Sequence, residues 1–152
     1  MHRRHFLYAF LFLPAACVSA PKPQIAPRAA KQAVPTTLDH HIAQYASFYD
    51  VPESLVHRVV KRESTYNPKA RNGPYYGLMQ ILPATARTMG FKGAPNDLLD
   101  AETNLKYGVK YLRGAWLLSN GSHDQAVKWY SRGYYYEAKK RGMLVETGLR
   151  PG

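Results

Sequence analysis

Residues 51–70 read VPESLVHRVVKRESTYNPKA and contain the helical segment on which the fold prediction depends. Asp50 and Glu53 stand three residues apart in a capping-box spacing, and Pro52 fits the first turn of a helix, where its missing N–H group costs nothing. Four apolar residues follow at helical spacing, namely Leu55, Val56, Val59 and Val60. Because Asn67-Pro68 disfavours helical backbone, the pattern predicts a helix that starts near residue 52 and ends by residue 66.

A glutamate occupies the next position of this apolar stripe. Glu63 falls in the final turn of the predicted helix, on the face that the apolar residues turn toward a core. The negative end of the helix dipole and the loss of hydration both penalise an ionised carboxylate, so they raise the pKa of Glu63 and favour a protonated acid near neutrality. The alternative is an exposed Glu63 that pairs with Lys61 or Arg62, and periodicity alone leaves both interpretations open.

Helical patterns continue on both sides of this segment. Apolar residues at positions 38, 42, 45, 46 and 49 predict a first helix that ends near residue 50. Pro83 opens a short helix that Gly90 can close in a left-handed conformation. Asp100 can cap a longer helix, in which Gly108 permits the close approach of a neighbour. These segments predict helices packed around a common core.

The last third of the chain is helical by the same criteria. Asn120-Gly121 turns the chain, Ser122 and Gln125 repeat the capping-box spacing, and a last helix runs from about residue 134 to 141. Hydrophobic residues make up 45% of the chain, and a lone cysteine cannot form an intramolecular disulfide, so stability must come from packing. No segment alternates apolar and polar residues with the two-residue period that predicts a β-strand. We therefore predict an all-α fold with one compact helical domain over residues 38–152.

The first 20 residues have the composition of a secretory signal peptide. Arg3 and Arg4 precede an apolar run at residues 6–13, which is shorter than the ~20 residues that a membrane-spanning helix needs. Two interpretations of Cys17 stay open: it resembles the lipidated cysteine of bacterial lipoprotein signals, or it is removed with a signal peptide that ends at Ala20. Residues 21–37 hold four prolines without apolar periodicity, so we expect a Pro-rich linker there.

The chain is strongly basic. It carries 21 Lys and Arg residues against 10 Asp and Glu, a formal net charge of +11. Five of the basic residues precede residue 38, so residues 38–152 retain +6. This excess favours anionic partners but does not choose among nucleic acid, anionic lipid and acidic polysaccharide. Export argues against nucleic acid as the partner. The histidines do not form a metal-ligand spacing with other residues, so we expect no metal, cofactor or nucleic-acid partner.

Four sequence blocks carry a family resemblance. Residues 51–70 with Glu63-Ser64, residues 77–86 (GLMQILPATA) and residues 99–112 resemble three blocks of the lytic transglycosylase family, which has a goose-type lysozyme-like fold. The family's fourth block is usually Ala-Tyr-Asn-x-Gly, whereas residues 129–133 read WYSRG. The resemblance covers about residues 40–134. It implies a lysozyme-like helical domain whose local hydrogen bonds to substrate differ at the fourth block.

The resemblance also implies an activity. The family cleaves peptidoglycan between N-acetylmuramic acid and N-acetylglucosamine and leaves a 1,6-anhydromuramoyl end. One carboxyl group suffices, because the N-acetyl group of the substrate and its C6 hydroxyl replace the second carboxylate and the water of ordinary glycosidases. By this resemblance Glu63 acts first as acid and then as base.

The site residues follow from the same blocks. Tyr130 is expected to orient Glu63 or the substrate, although a tyrosine at helical spacing also suits a core. Ser64 is expected to bond near the acid or the N-acetyl group, with a plain helix-end hydroxyl as the alternative. Gln80 and Met79 are expected to line the cleft, with core packing as the alternative for Met79. The remaining expected substrate-binding residues are Tyr76, which with Tyr75 offers faces for sugar stacking or only stabilises a loop, and Ser131.

Two other functions stay open. A hydrolytic goose-type lysozyme needs a second carboxylate near the cleft, for which Asp97 is the best candidate. A non-catalytic wall-binding or assembly protein would retain the fold without turnover. The expected partner is the peptidoglycan glycan strand, and a small single-domain enzyme also suits the passage of envelope-spanning secretion machinery. We expect an exported monomer in the periplasm of a Gram-negative bacterium, or anchored to the outer membrane through Cys17.

Overall fold

The structure, a computed structural model, describes residues 37–152. The predicted signal peptide with Cys17, and all but the last residue of the predicted linker, lie outside the described residues. The described part contains six α-helices, one 3-10 helix and one two-stranded hairpin. The α-helices are α1 Thr37–Phe48, α2 Glu53–Ser64, α3 Pro83–Thr88, α4 Ala101–Leu117, α5 His123–Arg132 and α6 Tyr135–Lys140. The hairpin pairs β1 Arg71–Asn72 with β2 Tyr75–Tyr76, and the 3-10 helix spans Pro95–Leu99. The all-α prediction is confirmed.

Helix α4 is the central element, and it packs against α1, α3, α5 and the 3-10 helix. The main core lies between these helices and α2, and it buries the predicted stripe of α2 from Leu55 to Val60 together with Leu105, Leu112 and Ala115 of α4. A smaller cluster is made of Ile81, Ala86 of α3, Phe91, and Leu98 of the 3-10 helix. Within residues 37–152, none of the helices combines the length and apolar character needed to cross a membrane.

Local capping signals place several helix ends as predicted. Asp100 accepts a hydrogen bond from the Thr103 N–H group at the start of α4, and Ser122 accepts one from the Gln125 N–H group at the start of α5. Gly90 follows α3 with a φ of +99°, a value that glycine adopts at little cost. Each signal acts within three or four residues, which is why the sequence reveals it.

One local prediction is wrong, and one local element was not predicted. Asp50 does not cap α2, because its own φ is +51° and Pro52 occupies the N-cap position without a side-chain hydrogen bond. The Asp50 carboxylate instead lies 3.4 Å from Arg113 of α4. The hairpin at residues 71–76 was not predicted, because two-residue strands are too short to show alternation. Gly73, with a φ of +57°, lies in the turn that joins the two strands, and a glycine at such a position is typical of hairpin turns.

Candidate active site

Glu63 lies in the last turn of α2, where the buried stripe of that helix reaches the surface. Its side chain is 22% exposed, and burial raises the pKa of its carboxyl group above the ordinary 4.5. Arg62 opposes this rise, since its Nε lies 3.7 Å from Glu63 Oε1. The structure therefore combines both interpretations of Glu63: the side chain is mostly buried, and it also has an arginine neighbour.

Glu63 lines one end of a surface groove. Two cavities of about 310 and about 270 Å³ share Tyr75, Gln80, Tyr130 and Ser131, so they form one continuous groove. The first cavity is completed by Arg62, Glu63 and Asn72. The second is completed by Ile81, Leu82, Thr85, Tyr111, Arg132 and Gly133. Among the described lining residues, Glu63 supplies the carboxylate of this groove.

A four-residue loop, residues 77–80, brings Gln80 to the groove. Tyr76 and Ile81 close it with two reciprocal backbone hydrogen bonds of 3.1 Å. At its end Gln80 has a φ of +45°, which a non-glycine residue rarely adopts. The Gln80 side chain supports this conformation, because its Nε2 donates to the carbonyl oxygens of Gly77 at 2.8 Å and Ala70 at 3.2 Å. Gln80 therefore lines both cavities with its amide held in place.

Asn104 of α4 holds the loop from below. It is fully buried, and its Oδ1 accepts a 2.8 Å hydrogen bond from the Met79 N–H group. Its Nδ2 donates to the carbonyl oxygens of Tyr76 at 2.8 Å and Leu98 at 2.7 Å. Sequence reasoning missed this role, although a polar residue beside Leu105 on the inward face of α4 was the available signal. Asn104 joins the loop, the 3-10 helix and α4 at one point.

Tyr130 of α5 reaches the same loop from the other side. The residue is 8% exposed, and its hydroxyl donates a 2.8 Å hydrogen bond to the Met79 carbonyl oxygen. Burial, and then the charge of nearby Glu63, hold the pKa of Tyr130 well above its ordinary value of 10.0. The phenol therefore stays protonated and serves as a neutral donor. Tyr130 and Glu63 line one cavity, but the Tyr130 hydroxyl donates its hydrogen bond to the Met79 carbonyl oxygen and not to Glu63.

Met79 packs in the core and Ser64 is a helix-end hydroxyl, which are the alternatives stated for them in the sequence analysis. The Met79 side chain is fully buried and packs against Gly108, where an added Cβ would stand 2.5 Å from the sulfur. Met79 contributes to the site through its backbone, whose carbonyl oxygen accepts the Tyr130 hydrogen bond, and not through its thioether. The Ser64 hydroxyl donates to the Val60 carbonyl oxygen at 3.1 Å, as a hydroxyl in the last turn of a helix commonly does.

The two tyrosines of the hairpin are placed differently. Tyr75 is 42% exposed and lines both cavities. Tyr76 is part-buried against the smaller core cluster, and the guanidinium of Arg71 covers its ring at 3.8 Å. Tyr75 is therefore the ring that faces the groove. Ser131 also lines both cavities, and its hydroxyl donates to the carbonyl oxygen of Lys128 at 3.2 Å.

Four other acidic side chains are engaged outside the groove. Asp97, which the lysozyme interpretation required at the cleft, accepts a 2.9 Å hydrogen bond from the Ala94 N–H group at the start of the 3-10 helix. Three further carboxylates, Asp100, Asp124 and Glu137, bind the Thr103 N–H group, Arg58 and Arg141 respectively. Within residues 37–152 no three acidic, histidine or cysteine side chains cluster as metal ligands would.

Comparison with known proteins identifies the family to which this groove belongs. The model of the transglycosylase SLT domain matches residues 40–142, which include the whole groove. The chain belongs to the transglycosylase SLT domain family. The resemblance seen in the sequence blocks is thereby confirmed.

Individual members of the SLT family match this chain over part of their length. A soluble lytic murein transglycosylase of Escherichia coli is 36% identical over 77 residues, which are 46% of this chain and 12% of that protein. Membrane-bound lytic murein transglycosylase E of Buchnera aphidicola is 39% identical over 79 residues, 47% of this chain and 36% of that protein. The chain thus corresponds to a minor part of either relative.

A solved structure matches the SLT fold of this chain. The 70 kDa soluble lytic transglycosylase from Escherichia coli superposes with a TM-score of 0.59 at 27% identity, over 72% of this chain and 18% of that one. The predicted lysozyme-like helical architecture is confirmed by this match.

Proposed function

We propose that this chain is a peptidoglycan lytic transglycosylase that cleaves the β-1,4 bond between N-acetylmuramic acid and N-acetylglucosamine with Glu63 as its acid and base. The observation that carries the proposal is the position of Glu63, a mostly buried carboxyl group with a raised pKa in the wall of an open groove. The relatives named above are murein transglycosylases, which gives the substrate class.

The raised pKa suits the first step of this reaction. Protonated Glu63 donates its proton to the glycosidic oxygen, the bond from that oxygen to C1 of the muramic acid breaks, and the N-acetyl group stabilises the cationic C1. The Glu63 carboxylate then removes the proton of the C6 hydroxyl, whose oxygen attacks C1 and closes the 1,6-anhydro ring. Glu63 is thereby protonated again, and no water molecule is consumed.

The arrangement of carboxylates supports this route over hydrolysis. A glycosidase with two carboxylates keeps them roughly 5–9.5 Å apart across the scissile bond. The described groove offers Glu63, whereas Asp97 is engaged at the 3-10 helix. The substrate's own groups can replace the second carboxylate, so one acid in this groove is sufficient.

We assign supporting roles to the residues around Glu63. The neutral Tyr130 fixes the loop through its bond to Met79 and lines the cavity that holds Glu63. Gln80 and Ser131 offer polar atoms, and Tyr75 offers a ring face, along both cavities for the sugar units. Ser64 follows the acid in the chain, and because its hydroxyl is bonded to the Val60 carbonyl oxygen we expect it to support the end of α2. We expect Tyr76 and Met79 to contribute by packing, because the side chain of neither one lines the groove.

Digestion of purified peptidoglycan tests the proposal. The fragments are separated and weighed, and anhydromuramoyl ends, lighter by one water than reducing ends, are expected from the wild-type chain. Glu63→Gln should abolish their release, whereas Glu53→Gln, an exposed glutamate at the other end of the same helix, should not. Reducing ends alone would favour a lysozyme, and binding to sacculi without release would favour a wall-binding protein. Normal digestion by Glu63→Gln would refute the assignment of the acid.

The cellular setting is part of the same proposal. An envelope location follows from the signal-like first 20 residues and from relatives named soluble and membrane-bound murein transglycosylases. We propose that the chain is exported, acts as a monomer on glycan strands and either stays in the periplasm or is anchored through Cys17. Opening the wall for a secretion machine is a use that fits such an enzyme. The mass of the mature amino terminus distinguishes a lipidated Cys17 from cleavage after Ala20.

A further inference from the structure

Arg132 gives the second cavity of the groove a positive charge. It is the last residue of α5, and with Gly133 it lines the end of the groove that lies away from Glu63. Its guanidinium carbon lies 4.0 Å from the centroid of the Trp129 ring, one turn back along the helix. Stacking at this distance is favourable for a cation and holds a long side chain in one orientation.

The guanidinium of Arg132 has its hydrogen-bonding edge available. A guanidinium that lies over an aromatic ring interacts with it through its delocalised charge, which leaves its N–H groups available as hydrogen-bond donors. In the described part of the chain, no carboxylate forms an ion pair with Arg132, whereas Arg62 at the other cavity lies beside Glu63. An arginine with a free edge binds a carboxylate through two parallel hydrogen bonds.

We propose that Arg132, supported by Trp129, forms a subsite for a carboxylate on the muramic acid side group of the glycan strand. The inference rests on the proposed function for the identity of the strand. Acidic groups on such a strand occur on muramic acid, either as the lactyl carboxylate of a stripped sugar or as the carboxylates of its stem peptide. Trp129 and Arg132 both lie in residues 129–133, WYSRG, the block that departs from the family pattern.

The position of Arg132 suits the selection of charged glycan strands better than a part in bond cleavage at Glu63. Tyr130 and Ser131, which connect the two cavities, separate Arg132 from the cavity of Glu63 along the groove. A strand bound across Glu63 therefore continues past Arg132, where it can present the group attached to a muramic acid. Arg132 should strengthen the binding of charged strands and leave the binding of neutral sugar chains unchanged.

Binding to defined oligosaccharides tests the subsite without depending on turnover. The full chain carrying Glu63→Gln is titrated with four ligands of equal length: neutral chitotetraose, a peptide-free GlcNAc–MurNAc tetrasaccharide, the same tetrasaccharide with stem peptides, and the peptide form with its carboxylates amidated. We expect at least one carboxylate ligand to bind roughly fivefold more tightly than its neutral counterpart, as for one moderately exposed charge pair. The peptide-free and peptide-bearing arms show which carboxylate is bound.

Variants of α5 separate a specific contact from general attraction. Arg132→Ala should remove the roughly fivefold preference, and Arg132→Lys should restore only part of it, because an ammonium group cannot form the paired hydrogen bonds. Lys128→Ala removes an exposed charge from the same helix one turn away and should keep the preference. Equal affinity for charged and neutral ligands, or equal losses in Arg132→Ala and Lys128→Ala, would overturn the proposal. Failure of the wild-type chain to digest peptidoglycan would instead contradict the proposed function and leave this comparison valid.

Discussion

Replacing Asn104 with leucine should destabilise the domain by several kcal/mol. Leucine has a similar volume but makes no hydrogen bonds, so three bonds are lost without a large cavity. The Tyr76 carbonyl oxygen keeps the Ile81 N–H group as a partner. The Met79 N–H group and the Leu98 carbonyl oxygen lose the partners that Asn104 gave them. Each buried group left unpaired costs about 1–3 kcal/mol, which gives about 2–6 kcal/mol in total.

Urea unfolding followed by circular dichroism measures this loss. A domain of this size has a urea m-value of roughly 1–3 kcal/mol/M, so the midpoint should fall by about 1 M or more. Asn96→Leu is the matched control, because Asn96 is an exposed asparagine in the 3-10 helix and its replacement should change the midpoint little. If Asn104→Leu lost less than about 1 kcal/mol, or no more than Asn96→Leu, the buried bonds would not stabilise the loop as argued.

An aspartate at the same position separates the acceptor from the donors. Asn104→Asp keeps an oxygen for the Met79 N–H group but directs a second oxygen at the carbonyl groups of Tyr76 and Leu98. This variant should be unstable at neutral pH and recover part of its stability in acid, where a protonated carboxyl group can donate one hydrogen bond. A loss that did not change with pH would show that the donor bonds contribute little.

Three further predictions concern the same region. Burial raises the pKa of Glu63 in the folded state, so the native chain binds this proton more tightly than the unfolded chain does. The free energy of unfolding should therefore fall as the pH rises from the unfolded pKa of Glu63 through its folded pKa. Glu63→Gln should be more stable than wild type at pH 7 in thermal unfolding and lose that advantage below about pH 4. Tyr130→Phe leaves the Met79 carbonyl oxygen without its donor, which should cost about 1–2 kcal/mol in urea unfolding and slow peptidoglycan digestion. Gly108→Val places carbon atoms against the Met79 side chain and should cost about 1–3 kcal/mol in thermal unfolding, whereas Gly121→Ala, with open space around it, tests only the cost of its positive φ.

The sequence predicted the features whose causes are local. The stripe of α2 that ends in Glu63 needs only a period of 3.6 residues, and the caps at Asp100 and Ser122 act across three residues. Asp50 fitted a capping pattern equally well, yet its backbone is left-handed and its carboxylate lies beside Arg113 of α4. The choice between a cap and a distant ion pair depends on packing, so no local pattern could have made it.

The support of the groove depends on contacts between distant parts of the chain. Asn104 binds Met79 across 25 residues, and Tyr130 binds the same residue across 51. A polar residue on an inward helical face indicates that some buried bond exists, but it does not identify the partner. Tyr75 and Tyr76 were equally plausible as stacking faces for the same reason, because the hairpin register decides which ring faces the groove.

Met79 explains why the loop tolerates the backbone strain at Gln80. Asn104 holds its N–H group, Tyr130 holds its carbonyl oxygen, and Gly108 makes room for its side chain. With all three parts of one residue fixed, the next residue has little freedom, and the rare positive φ of Gln80 is over-determined by its surroundings. Gln80 lines both cavities of the groove, one of which is also lined by Glu63. Buried interactions that never contact a sugar therefore set the shape of the surface on which the sugar is bound.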